Sequence, residues 1–105
     1  MTTFDKREEG FEKQFALEEE QKFKAESRRN RLTGLWVAEK LGLGGDAATA
    51  YAKEVAAAGF EAGDGVVRKA TADLGAKGVS ITEQQIRQKM EELFTQAAAQ
   101  VKAGA

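Results

Sequence analysis

Cysteine, histidine and proline are all missing from the 105 residues of this chain. Without cysteine there is no disulfide framework, no thiol nucleophile and no thiolate metal site. Without histidine the chain lacks the commonest metal ligand and the usual general base near neutral pH. A chain of this size with neither is a poor enzyme candidate, and no catalytic residue or metal ligand is assigned. Without proline nothing enforces a kink, so helices can run long. No apolar stretch approaches the ~18 residues that a membrane-spanning helix requires. The opening Met1-Thr2-Thr3-Phe4-Asp5 lacks the basic-then-apolar layout of a signal peptide, which points to the cytoplasm. An excess of one charge is missing as well. Sixteen Lys and Arg face seventeen Asp and Glu, a formal net charge of −1 that argues against a nucleic-acid or anionic-membrane binder.

What is present favours helices. Hydrophobic residues make up 42% and charged residues 31%, a composition suited to one domain with a modest core. The stretch from Phe4 to Leu43 reads as one long helical path. Its front is dense in alternating charge, with Phe4, Phe11, Phe15 and Phe23 as the clearest apolar anchors. Its back is apolar on almost every side. At about 100° per residue, Leu32, Leu35, Trp36 and Leu43 form one stripe, and Val37 and Leu41 point roughly the other way. Such a helix belongs in the middle of a bundle, and Glu39, close to the stripe, is expected to be partly buried. Thr2 or Thr3 can cap the start. The pairs Glu9–Lys13, Glu18–Lys22 and Glu20–Lys24 each add roughly 0.2–0.5 kcal/mol at i,i+4.

The path stops at Gly42, Gly44 and Gly45, where left-handed backbone angles cost little. Asp46 is expected to cap a second helix with Ala47, Ala50, Tyr51, Val55 and Ala58 on one face. Gly59 begins its exit, and Phe60 is expected to tuck under the bundle. After Gly63, Asp64 is the next N-cap, and a third helix carries Val66, Val67, Ala70 and Leu74. Val79 and Ile81 precede a capping box formed by Thr82 and Gln85. Ile86, Met90, Leu93, Ala97 and Val101 then recur at four, three, four and four, the pattern of a fourth amphipathic helix. No strand pattern is present. The fold class predicted is all-α, a four-helix bundle with a long first helix whose N-terminal part is mobile.

Length points to function. A helix from Phe4 to Leu41 would span roughly 55 Å, against roughly 30 Å for the fourth. Residues 1–19 therefore read as a mobile segment ahead of a bundle formed by residues 20–105. Phe4, Phe11 and Phe15, at i, i+7 and i+11, make the narrow apolar stripe of a helix that binds another protein's groove.

Several blocks together resemble the zeta subunits of alphaproteobacterial F-type ATP synthases. They are Thr3-Phe4-Asp5-Lys6-Arg7-Glu8, Gly10-Phe11-Glu12, Phe15-Ala16, Phe23-Lys24-Ala25-Glu26, Arg28-Arg29-Asn30 and Gly34-Leu35-Trp36. The likeness continues through Leu41-Gly42-Leu43, Ala50-Tyr51-Ala52-Lys53-Glu54-Val55 and Arg87-Gln88-Lys89-Met90, and departs at Gly59 to Gly65 and Thr71 to Lys77. The resemblance implies an inhibitor of ATP hydrolysis, peripheral to the inner membrane through the synthase. Its N-terminal segment would become helical on entering a catalytic alpha/beta interface near the gamma shaft. Phe4, Asp5, Arg7, Gly10, Phe11 and Phe15 are the partner-binding candidates on that segment. No cofactor is required, and the unbound chain is expected to be a monomer.

The resemblance also implies ADP or ATP as a regulatory ligand on the bundle. Arg28 and Arg29 could receive a phosphate, with Trp36 nearby as a stacking surface. The same cluster could instead be a solvated face, or neutralise Glu18 to Glu20 and Glu26. The turn Gly42-Leu43-Gly44-Gly45-Asp46 lacks the P-loop pattern and reads as a helix terminator. Gly63-Asp64-Gly65 has too few oxygens for a calcium loop. Two rival functions remain open: a helical adaptor whose N-terminal helix binds an unrelated partner, and a nucleotide-sensing bundle with an incidental tail.

Overall fold

A computed structural model of the chain describes residues 17–104. Four helices follow in order: α1 (Glu19–Lys40), α2 (Gly45–Glu61), α3 (Gly65–Ala76) and α4 (Glu83–Lys102). α1 packs most extensively against α2 and α4, and α3 touches all the others. The first helix is thus central, as its composition predicts.

Local chemistry sets the boundaries. α1 begins at Glu18, an extended residue at φ −68° and ψ 160°, whose side chain and that of Gln21 cap each other's backbone. The Glu18 N–H donates to Gln21 Oε1 at 3.1 Å. An uninterrupted helix from Phe4 to Leu41 is therefore overturned at Leu17–Glu18: glutamate here serves as a cap rather than as the partner of Lys22. Beyond the cap, the Glu20–Lys24 pair does form, at 3.4 Å.

Gly42 ends α1 at φ +81°. Its N–H bonds the Glu39 carbonyl at 3.1 Å while that of Leu43 reaches back to Ala38 at 2.9 Å, a six-to-one closure that only a left-handed residue permits. Gly78, at φ +78°, closes α3 in the same way and swings Val79 onto the core. α4 opens with the predicted box: the Gln85 N–H donates to Thr82 Oγ1 at 3.1 Å, and the Thr82 N–H to Gln85 Oε1 at 2.8 Å.

The main core joins Val37, Ala38, Tyr51, Val55, Val66, Val67, Ala70, Leu74 and Ile86. A second, smaller cluster holds Ala25, Ala98 and Val101, with Leu17 and Phe94 packed against it. Among the predicted face of α4, Ile86, Leu93, Ala97 and Val101 are buried and Met90 is partly buried.

Several expectations are corrected. α1 buries its small residues, Ala25, Thr33, Gly34 and Ala38, together with Val37 and Asn30. Leu35 and Leu43 stay 40% and 37% exposed, Leu32 and Trp36 lie at the margin, and Glu39 faces solvent. The reason is close approach: a Cβ built on Gly34 would sit 2.7 Å from Ala52 Cα and 3.0 Å from Val55 Cβ. α1 and α2 meet through their narrowest side chains, leaving the bulky ones at the edges.

That contact also rotates α2 from its predicted phase. Tyr51, Ala52 and Val55 are buried, while Ala47 and Ala50 are exposed. The cap of α2 is Gly44 rather than Asp46, which lies in the first turn. Helix runs through Gly59, so Phe60 projects outward at 61% exposure instead of tucking inside. Asp64 is at the N-cap of α3 but makes no side-chain cap bond; its carboxylate takes Arg68 Nε at 2.9 Å. The buried face of α3, Val66, Val67, Ala70 and Leu74, is as predicted.

Candidate functional site

The partner-binding candidates Phe4, Asp5, Arg7, Gly10, Phe11 and Phe15 lie outside the described residues, as do the Thr2 or Thr3 cap and the Glu9–Lys13 pair. Arg28 and Arg29, the nucleotide candidates, lie within α1, and the fold separates them. Adjacent residues on a helix point about 100° apart. Here that turn sends the two guanidinium groups into different clefts.

Arg28 lines a cleft of about 450 Å³ between α1 and α2. Lys24, Arg28 and Arg31 border it from α1 and Lys53 borders it from α2, over a floor containing Ala56 and Ala57. At its apolar end stand Phe23 and Phe60, with ring centroids 5.6 Å apart and planes tilted by 43°. Both rings are more than half exposed. Arg28 Nη1 also donates to Gln100 Oε1 at 3.2 Å, tying α1 to α4.

Arg29 lies in a second cleft, of about 760 Å³, against Val67, Met90 and Phe94. Its guanidinium sits 5.7 Å above the Phe94 ring. Its Nε and Nη2 both donate to Asn30 Oδ1, at 3.1 and 3.0 Å. Burial lowers the pKa of Arg29, and the nearby Glu26 partly offsets the shift. A guanidinium committed to a ring and an amide is a structural element of this cleft before it is a ligand for phosphate. Glu26 and Glu91 also line it, so its charge is balanced from within.

Trp36 lines neither cleft; it packs at the core edge with Lys40 Nζ 5.9 Å from its ring centroid. The proposed grouping of Arg28, Arg29 and Trp36 as one site is thus not assembled. The Phe23–Phe60 pair is what the sequence reading missed. Helical phase carried the signal: Phe60 lies five residues beyond Val55, about 140° around the helix from that buried side chain.

A third group is structural. Tyr51 donates to Asp73 Oδ2 at 2.6 Å, and Lys69 bridges Asp73 at 3.1 Å and Glu54 at 3.7 Å. Lys69 Nζ also lies 5.1 Å from the Tyr51 ring centroid. Burial, the Asp73 hydrogen bond and the neighbouring carboxylates all raise the Tyr51 pKa.

Among the described residues no three His, Cys, Asp or Glu side chains converge as metal ligands, and no helix is long and apolar enough to cross a membrane. A family model described as ATPase inhibitor subunit zeta matches residues 1–100. No curated protein matches the chain.

Proposed function

This chain belongs to the ATPase inhibitor subunit zeta family, and from that membership we propose that it is a regulatory, non-catalytic subunit restraining ATP hydrolysis by the F-type ATP synthase. The observation that carries the reading is the extent of the match, which takes in both the N-terminal block and the bundle. Residues 1–16 are the inhibitory segment, and the bundle that carries it begins at Leu17, which packs on the second cluster, and Glu18, which caps α1. The segment enters a catalytic alpha/beta interface of the synthase head near the gamma shaft. That association holds the chain at the inner membrane.

The energetics require aromatic anchors. Ordering a segment on binding costs backbone entropy at every residue, so its few large apolar groups must be buried. Burying a phenylalanine returns roughly 1.5–3 kcal/mol, so Phe4, Phe11 and Phe15 supply most of the apolar gain. Gly10 lets the partner approach closely, while Asp5 and Arg7 set register and orientation more than affinity.

ADP or ATP on the bundle is the second part of the proposal. Arg28, although Gln100 takes one of its N–H groups, borders a cleft with three other cations and no carboxylate, whereas Arg29 is held by Phe94 and Asn30 in a cleft that Glu26 and Glu91 also line. The two rings of the cleft contact each other and leave no slot between them for a base, so the phosphates would provide the hold.

Phe11→Ala tests the inhibitory reading. Hydrolysis by the synthase head should become at least about tenfold less sensitive to the variant, equivalent to about 1.4 kcal/mol, with no fall in the melting temperature of the bundle. Unchanged potency would remove the aromatic-anchor mechanism.

A further inference from the structure

The α1–α2 cleft carries a distinct charge pattern. Lys24, Arg28 and Arg31, at i, i+4 and i+7, make a row about 10 Å long by helical rise. Lys53 faces them from α2, and no carboxylate lines the cleft. The second cleft differs in this respect, setting Glu26 and Glu91 among its arginines. Lys24 meets Glu20 at 3.4 Å in a well-exposed pair, the kind that contributes little. Arg31 and Lys53 are exposed, and neither makes an ion pair among the described residues.

The apolar part complements the row. Ala56 and Ala57 line the cleft from α2 with short side chains, and Phe23 and Phe60, 57% and 61% exposed, stand together as a ring pair. A row of cations spaced one turn apart matches carboxylates repeating at the same spacing on a second helix, an occupant that competes with a nucleotide phosphate for Arg28. The exposed ring pair offers that helix an apolar anchor beside its charges.

We propose that the α1–α2 cleft is a docking groove for an acidic amphipathic helix of another protein. Carboxylates one turn apart meet Lys24, Arg28 and Arg31, Lys53 closes over the same edge, and a leucine or phenylalanine of the partner rests on Phe23 and Phe60. The rim charges govern encounter rate and orientation, so binding weakens as salt rises. This contact belongs to the bundle and is independent of the N-terminal segment, so loss of inhibition and loss of docking are separable.

The full-length chain is titrated with a synthetic helical peptide bearing glutamates at three one-turn intervals beside leucines, followed by fluorescence anisotropy and amide chemical shifts. The double variant Arg31→Glu with Lys53→Glu is expected to bind at least tenfold more weakly, and the glutamine version of the peptide likewise. Arg87→Glu, in the other cleft, should bind as the parent does. Shifts should concentrate at Ala56, Ala57 and Phe60, and Phe60→Ala should weaken binding with the melting temperature retained. A loss from Arg87→Glu half as large on a logarithmic scale as that from the double variant, which shifts the net charge twice as far, would reduce the effect to bulk charge and overturn the proposal. So would absence of peptide binding, whether or not ATP alone shifts the Ala56 and Ala57 signals.

Discussion

Tyr51 shows how far one side chain's properties depend on its neighbours. Its hydroxyl donates a hydrogen bond to Asp73, and burial, that bond and the nearby carboxylates raise its pKa above the ordinary phenol range. The folded chain therefore binds this proton more tightly than the unfolded chain. Its contribution to stability is fully present below pH ~10 and declines as pH rises toward the folded pKa. Tyr51→Phe should lower stability by about 0.5–1.5 kcal/mol at neutral pH and flatten the alkaline loss seen in thermal melts from pH 8 to 11. An equally steep loss in the variant would show that other groups govern it. None of this was legible in the sequence: Tyr51 read as one apolar position on α2, and Asp73 is 22 residues away. Arg28 and Arg29 were legible as cations but not as occupants of separate clefts, because side-chain direction depends on where α2 and α4 pack.

At the scale of elements, α4 was the most readable. Its four-three-four-four spacing and its Thr82 and Gln85 box appear as predicted. Thr82→Ala, which removes that cap, should lower the denaturant midpoint by the equivalent of about 1 kcal/mol, with Ser restoring most of it. α1 was the least readable, since its buried face consists of small residues that a hydrophobic stripe does not reveal. Gly34 carried no reading of its own beyond the Gly34-Leu35-Trp36 block. Placed against Ala52 and Val55, it is the point where two backbones meet. Gly34→Ala gains about 1 kcal/mol in helix propensity but pushes a methyl group into backbone. Net destabilisation on the order of 1–2 kcal/mol follows, measurable by urea unfolding. A stabilised variant would mean the crossing can widen freely. The break at Leu17–Glu18 was hidden for another reason: charged residues continue through it, and only the reciprocal bond with Gln21 marks the start of α1.

For the whole molecule, the all-helical class and the four helices followed from absent strand patterns and from glycine turns. The pairing of helices did not, because it depends on shape rather than on period. Leu74, with no exposed surface, lies in the main core. Leu74→Ala should lower stability by about 2–5 kcal/mol while leaving inhibition by the folded fraction intact. The same division of labour defines where the chain can be cut. Leu17 packs against the Ala25, Ala98 and Val101 cluster, and Glu18 caps α1. A truncation that spares the bundle therefore removes residues 1–16 and no more. The decisive measurement is ATP hydrolysis by the synthase head titrated with the full chain and with residues 17–105. The truncated chain should keep its melting temperature and no longer inhibit; inhibition at the potency of the full chain would contradict an inhibitory N-terminal segment.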